Sequence, residues 1–226
     1  MIDAFLQRFA ASLLGKLLIG VSAALVSLRY AGGVYAYLEA EKCERPVYKV
    51  VQTLTDGVEI RQYEPYMIAE TIADDPSYET AGKKTFGTLA GYIFGKNKAR
   101  RGGESEKMAM TAPVRFDGGE TNRKTKVSFV IGSSYTMKTV PKPLERKVKL
   151  RTVPAHTLAV RTFAGKPPSD ERIQKERNTL ESALSKADIS VKSTDDTTLV
   201  YGYHDPFITP NILRRNEVAV VVEGSV

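Results

Sequence analysis

The chain has 226 residues, a formal net charge of +7, one cysteine, two histidines and no tryptophan. That length accommodates one large domain or two small ones, with a core that needs no covalent staple. A lone cysteine excludes an internal disulfide, and so few His and Cys side chains exclude a metal site built from several of them.

Residues 9–38 carry only two charges, Lys16 and Arg29, with 12 uncharged and mostly apolar residues between them. That run is shorter than the roughly 20 residues of a spanning helix and suits the apolar stretch of an export signal. Lys16 or Arg29 could snorkel, however, and "YAGGVYAYL" could lengthen the segment. A signal-anchor or membrane helix is the leading expectation, ahead of a cleaved export signal and of an organelle-targeting or ordinary helix. Residues 1–44 are set apart as this segment with its linker. Their charges balance, so the basic excess lies in residues 45–226, where it favours anionic partners without choosing among them.

The rest of the chain is written twice. "VEIRQYEPYMIAET" (Val58 to Thr71) aligns with "VKLRTVPAHTLAVR" (Val148 to Arg161), and "VSFVIG" (Val127 to Gly132) with "VAVVVE" (Val218 to Glu223). Each segment reads as a strand rich in β-branched residues. Between them each half holds one helix. The first should open at Asp75-Pro76, with Tyr78, Ala81, Thr85, Phe86, Leu89 and Ile93 at helical spacing. The second should open at Ser169, with Asp170 and Glu171 in its first turn and Ile173, Leu180, Ala183, Leu184 and Ala187 as its stripe. Two further strands follow each helix: Met108 to Phe116 and Thr125 to Ser134, then Thr198 to His204 and Arg215 to Val222. The expected fold is α+β: two pseudo-repeated βαββ halves, about 46–140 and 141–226, pairing into a barrel-like sheet with two flanking helices.

Signatures of catalysis are missing. There is no Gly-x-Ser-x-Gly elbow and no His-Glu-x-x-His helix, and "AGKKT" near Gly82 lacks the glycine and the Ser or Thr of a phosphate loop. The basic run "KNKARR" (Lys96 to Arg101) reads as a solvated loop or an anion contact. No recognition helix or interleaved aromatic pattern supports nucleic-acid binding. The chain is read as a non-enzyme.

Two stretches are unusual. Gly82, Gly87 and Gly91 sit inside the first helix, each costing about 1 kcal/mol relative to Ala. They imply either close packing on a sheet or a smooth face approached by a flat ligand, with Lys83 and Lys84 near its acidic groups. In "YGYHDPFITPNILRRNEVAVVVE" (Tyr201 to Glu223), Pro206 and Pro210 bracket the apolar pair Phe207 and Ile208, which suggests a lid or a partner contact.

Together "VEIRQYEPYMIAET", "KMAMTAPV" and "YHDPFITPNILRRNEV" resemble the SOUL haem-binding family over about Pro46 to Val226. The resemblance implies a distorted β-barrel of two similar halves with two helices. It also implies reversible binding of haem or a related porphyrin, with no separate metal, in an apolar groove between the first helix and the 203–213 loop. Carried onto this chain, the helix side would be Tyr78, Lys83, Phe86, Leu89, Ala90 and Ile93, and the loop side Tyr203, Phe207, Ile208 and Pro210. Lys83 falls where a basic residue would meet a propionate. A second basic position of some members is Gly91 here, which would shift that role to Lys96 or Lys98.

The axial histidine of some members, near the first strand, has no equivalent in "IRQYEPY". His204 is then the candidate axial ligand, against its bland reading as a polar strand-end residue. The partners implied are a tetrapyrrole and, through the N-terminal segment, a membrane, with a monomeric soluble domain. The alternative is an effector-sensing or protein-interaction module of the same duplicated fold that never meets haem. In an extended "KMAMTAPV", Met108, Met110, Ala112 and Val114 would share one face, as core, groove lining or iron ligands, and Pro113 would mark an edge or bulge.

Overall fold

The computed structural model describes residues 12–118, 124–191 and 198–223. In chain order the elements are α1 (Leu13–Glu41), β1 (Tyr48–Thr53), β2 (Val58–Tyr63), β3 (Tyr66–Ala73), α2 (Tyr78–Ile93), β4 (Asn97–Lys98), β5 (Val114–Gly118) and β6 (Thr125–Val130). There follow β7 (Lys142–Pro143), β8 (Lys149–Val153), β9 (His156–Ala164), α3 (Asp170–Lys186), β10 (Thr198–Gly202) and β11 (Arg215–Val221). Nine strands form one antiparallel sheet in the order β1-β2-β9-β11-β10-β5-β6-β3-β8, while β4 and β7 pair apart from it. The fold is α+β, with a curled sheet and helices on its outer face.

The opening strand expected in each half is broken in two. The breaks fall at Glu64-Pro65 and Pro154-Ala155, where proline cannot donate to a ladder. Each half is therefore ββαββ. The two broken segments pair with each other in a single register. Tyr63 faces His156 at the end of one ladder and Tyr66 faces Val153 at the start of the next. The strand order consequently reads alike from either half: β2 lies beside β9, and β8 beside β3. Because β2 runs into β3 and β8 into β9, the two ends of the sheet meet at one seam, giving a distorted barrel.

Alternation along the strands separates two environments. Outside, Ala81, Leu89, Tyr92 and Ile93 of α2 pack on Ala69, Ala73, Val127 and Phe129. Leu180, Ala183 and Leu184 of α3 pack on Val58, Ile60, Ala159 and Val220. Inside, the residues between them point together, and many are polar. α2 begins two residues later than expected, with Ser77 as N-cap and the Asp75 carboxylate accepting from the Ser77 N–H. Ser169 caps α3 and accepts from the Arg172 N–H. The α3 stripe also includes the buried Glu176, bound by Arg161 and Arg172.

The stretch Met108 to Pro113 is not a strand. It crosses the end of the barrel with one bridge, Thr111 to Glu44. Met108 and Ala112 are buried while Met110 is 38% exposed, so the two methionines do not share a face. Pro113 stands just before β5, a central strand, and marks no edge.

A buried carboxylate ties three neighbouring strands, β2, β9 and β11. Oε1 of Glu217 on β11 accepts from Arg61 Nη1 on β2 at 2.9 Å, from Arg215 Nη2 at 2.6 Å and from Thr162 Oγ1 on β9 at 3.1 Å. Oε2 accepts from the Tyr203 hydroxyl at 2.7 Å. Burial pushes this carboxyl up, but the two guanidiniums outweigh it and hold it below its ordinary value. Removing one side of such a pair strands the other in low dielectric. Glu217→Ala should therefore lower unfolding free energy by about 3–5 kcal/mol in a urea titration, whereas Glu223→Ala, exposed just beyond the end of β11, should change it little.

Candidate functional site

The outer face of the sheet between the two helices carries a row of directly paired residues: Phe129, Val114, Gly202 and Asn216. Phe86 of α2 stands edge-on to Phe129 with ring centroids 5.3 Å apart, and is still 47% exposed. One and two turns further along α2, Ala90 is half-buried and Phe94 exposed. A Cβ added at Gly87 or at Gly202 would meet nothing within 4 Å. Helix and floor thus present a shallow apolar shelf with two bare backbone positions.

The other helix glycines have a different reason: Gly82 lies against the Phe116 ring, and Lys96 covers Gly91. Lys83 projects from the rim, paired only with Glu79, with both side chains well exposed. An exposed i,i+4 pair contributes about 0.3–0.5 kcal/mol, so the ammonium is easily redirected.

The expected groove residues do not all reach this shelf. Lys83, Phe86 and Ala90 do. Leu89 and Ile93 are fully buried beneath α2 and belong to the core. Tyr78 closes one end: its hydroxyl donates to the carbonyls of Gly118 and Thr198, and its ring meets Phe116. Tyr203 is inside the barrel, bonded to Glu217, because it continues the inward alternation of Leu199 and Tyr201.

The 203–213 loop meets α1. Gly33 on α1 fits against the Ile208 carbonyl and the Pro210 ring so closely that an added Cβ would fall 2.7 and 2.8 Å from them. Phe207 and Ile208 remain 75% and 54% exposed, as the bracketing prolines suggested.

His204 is held on every side. Its ring stacks on Tyr37 of α1 with centroids 5.0 Å apart. Nδ1 accepts from the Arg215 N–H at 3.0 Å, and Nε2 lies 3.0 Å from Oε1 of Glu41. With its side chain 1% exposed and both nitrogens engaged, His204 as placed offers no lone pair to an iron. An axial role for His204 would require these contacts to open. Among the described residues, no group of three or more His, Cys, Asp and Glu is arranged to hold a metal ion.

Composition and motif searches missed the interior of the barrel. Arg45, Arg115 and Arg215 line a cavity of about 50 Å³ together with Tyr48, Tyr63, Tyr66, Tyr201 and Tyr203. Arg45 and Arg215 both stand over the Tyr203 ring, 5.2 and 4.3 Å from its centroid. Arg61 lies 4.6 Å over Tyr48, and His156 stacks flat on Tyr63. The signal was in the alternation: "IRQY", "YGY" and the lone Glu217 in a β-branched run each place a polar residue every second position.

This geometry defines a class: an antiparallel α+β module with helices outside, an open apolar shelf and a polar aromatic interior. The particular family is shown by sequence. The model of the SOUL heme-binding protein family matches residues 43–221, and the chain belongs to that family. No curated protein matches the sequence. Among solved structures, the EcmrR C-terminal domain superposes with a TM-score of 0.52 at 12% identity, covering 79% of this chain and 99% of that one. A hydrolase from Listeria innocua gives 0.51 at 10% identity, covering 74% and 91%. At such identities the likeness is one of fold.

Two outcomes follow for the α1 contact and the histidines. Gly33→Leu should push α1 from the loop, costing about 1–3 kcal/mol by overpacking and exposing the 205–213 loop to limited proteolysis. Burial pushes His156 and His204 below the ordinary value of 6.5; Arg115 reinforces this at His156 and Arg45 and Arg215 at His204, against the Pro154 carbonyl and Glu41 respectively. The unfolded chain then binds more protons than the folded one just below pH 6.5, so this contribution is complete above that pH and is lost as pH falls through 6.5 toward the folded values. Urea midpoints should drop between about pH 7.5 and 5.5, and His156→Gln with His204→Gln should flatten that limb.

Proposed function

We propose that this chain is a non-enzymatic tetrapyrrole-binding module held at a membrane by α1. The observation that carries the reading is the shelf of Phe86, Gly87 and Ala90 over Val114 and Gly202, in a member of a heme-binding family. A flat macrocycle needs a bare apolar surface, and the two glycines leave one. Phe86 would lie against the ring, and Lys83 would meet a propionate. Lys96, whose aliphatic chain crosses Gly91, would supply the second cation from just beyond the end of the same helix. Tyr78 would bound one end, and the exposed Phe207 and Ile208 of the 203–213 loop would close over the other.

Affinity would come from apolar burial at about 25 cal/mol per Å². The iron would supply the porphyrin's redox and ligand chemistry; no side chain of the shelf is assigned to it. Helix α1 is long and apolar enough to cross a membrane, and most of its surface is exposed. At about 1.5 Å per residue it spans roughly 43 Å, more than a bilayer core of about 30 Å. Only its last turns, at Gly33, Tyr37 and Glu41, touch the domain, which would sit close to the bilayer surface.

The test is titration of the full chain in detergent with haemin and with metal-free protoporphyrin. Both should bind with dissociation constants on the order of micromolar, equivalent to about 8 kcal/mol. Phe86→Asp should weaken both at least about tenfold by placing a charge on an apolar contact, Lys83→Glu a few-fold, and His204→Ala neither. Absence of a Soret shift and of porphyrin fluorescence change at micromolar ligand would defeat the reading. Binding of haemin alone, abolished by His204→Ala, would restore the axial role of that histidine.

A further inference from the structure

Strand β5 alternates between two sites. Val114 and Phe116 face the outer shelf, whereas Arg115 points into the barrel. Arg115 is 8% exposed and lines the interior cavity. Its Nη2 donates to Asp117 at 3.0 Å. Its Nε and Nη1 are buried and have no hydrogen-bond partner. Tyr66 and Tyr201 stand near the guanidinium, and Tyr66 interacts with it, but neither Nε nor Nη1 makes a hydrogen bond of regular geometry. Two buried guanidinium donors without a protein partner are costly, because a buried charge needs its hydrogen bonds satisfied. The pair is also the geometry that recognises an oxyanion in bidentate fashion.

The surroundings agree. No acidic side chain lines the cavity, but Arg45 and Arg215 do, and Arg45 Nε is a second buried donor without a partner. Glu217 is shared by two guanidiniums, Arg61 and Arg215, while the carboxylates that act on Arg115 itself are Asp117 and Glu70, the latter already bonded by Arg151. The tyrosines supply hydroxyls that can donate to an anion, and rings that exclude bulk water. A cavity of about 50 Å³ is several times the roughly 10–15 Å³ that a single water needs. It is far too small for a porphyrin.

We propose that the barrel interior is a binding site for a small oxyanion, a phosphate or carboxylate group, received by Nε and Nη1 of Arg115 and flanked by Arg45. The site lies on the opposite face of β5 from the shelf, so it stands or falls separately from porphyrin binding.

The test follows unfolding of the full chain in detergent by intrinsic tyrosine fluorescence, titrating sodium phosphate, sodium acetate or sodium chloride at matched ionic strength. At least one oxyanion should raise the melting temperature saturably beyond the chloride control; whether phosphate or acetate does so identifies the group. The NMR resonance of the Arg115 Nε–H should shift along the same isotherm. Arg115→Met strands Asp117 and should be less stable than the parent without anion, and it should show no anion response. Should that variant fail to fold, Arg115→Lys keeps the charge but not the fork, and should weaken the response at least about tenfold. Equal effects of oxyanion and chloride, an unmoved Arg115 resonance, or a full response in either variant would overturn the proposal and leave the cavity to water.

Discussion

The buried carboxylate of Glu217 is the constraint on which the barrel depends. It collects Arg61 from β2, Thr162 from β9, Arg215 from β11 and Tyr203 from the end of β10. Those elements come from both halves of the chain, and β2 is a first-half strand seated in second-half sheet. Hydrophobic burial under α2 and α3 would be served by two separate layers. The ion pair inside the seam instead requires β2 to take one register beside β9. A slip of one residue would send Arg61 outward beneath α3 and bring Ile60 inward against the carboxylate. Each outcome leaves a charge without its partner in low dielectric, so the register is specified twice, by pattern and by charge.

The exchange of opening strands also explains the two prolines. Pro65 and Pro154 fall opposite one another where a long strand must turn from one sheet half to the other. A residue without an N–H is tolerated there because the ladder is already broken. The same corner gathers Tyr63, Tyr66 and His156, whose rings stack across the gap and fill space that ladder bonds would otherwise occupy. A polar aromatic interior is thus a product of the topology. The apolar cores are under the helices, which leaves the inside of the sheet free for arginine, tyrosine and a small cavity.

The N-terminal helix is tied to the same end of the barrel. Its last turns reach the 203–213 loop through Gly33, Tyr37 and Glu41, and Glu41 is bonded in turn by Arg45. Beyond the helix, Glu44 pairs with Thr111 and accepts from the Ser133 N–H at 2.6 Å. The segment set apart as an anchor and linker is therefore continuous with the folded body at its C-terminal end. The loop expected to cover a porphyrin is the loop that meets this helix.

By itself the sequence determined the class of fold, the order of helices and paired strands within each half, the cap of α3 and the family. These follow from periodicity, β-branched runs and cap residues, which are local. It also marked the exposed pair Phe207 and Ile208, because apolar residues between two prolines are visible in one dimension. The tertiary structure decided the rest. Both Leu89 and Phe86 lie on the apolar stripe, and only packing shows that one is core and the other half open. Tyr203 and His204 are adjacent in sequence, but alternation sends Tyr203 to Glu217 inside and His204 to Tyr37 and Glu41 outside. Arg115 reads as one more strand residue until β10 and β6 close around it. Burial and partnership are properties of residues far apart in the chain, and no local pattern encodes them.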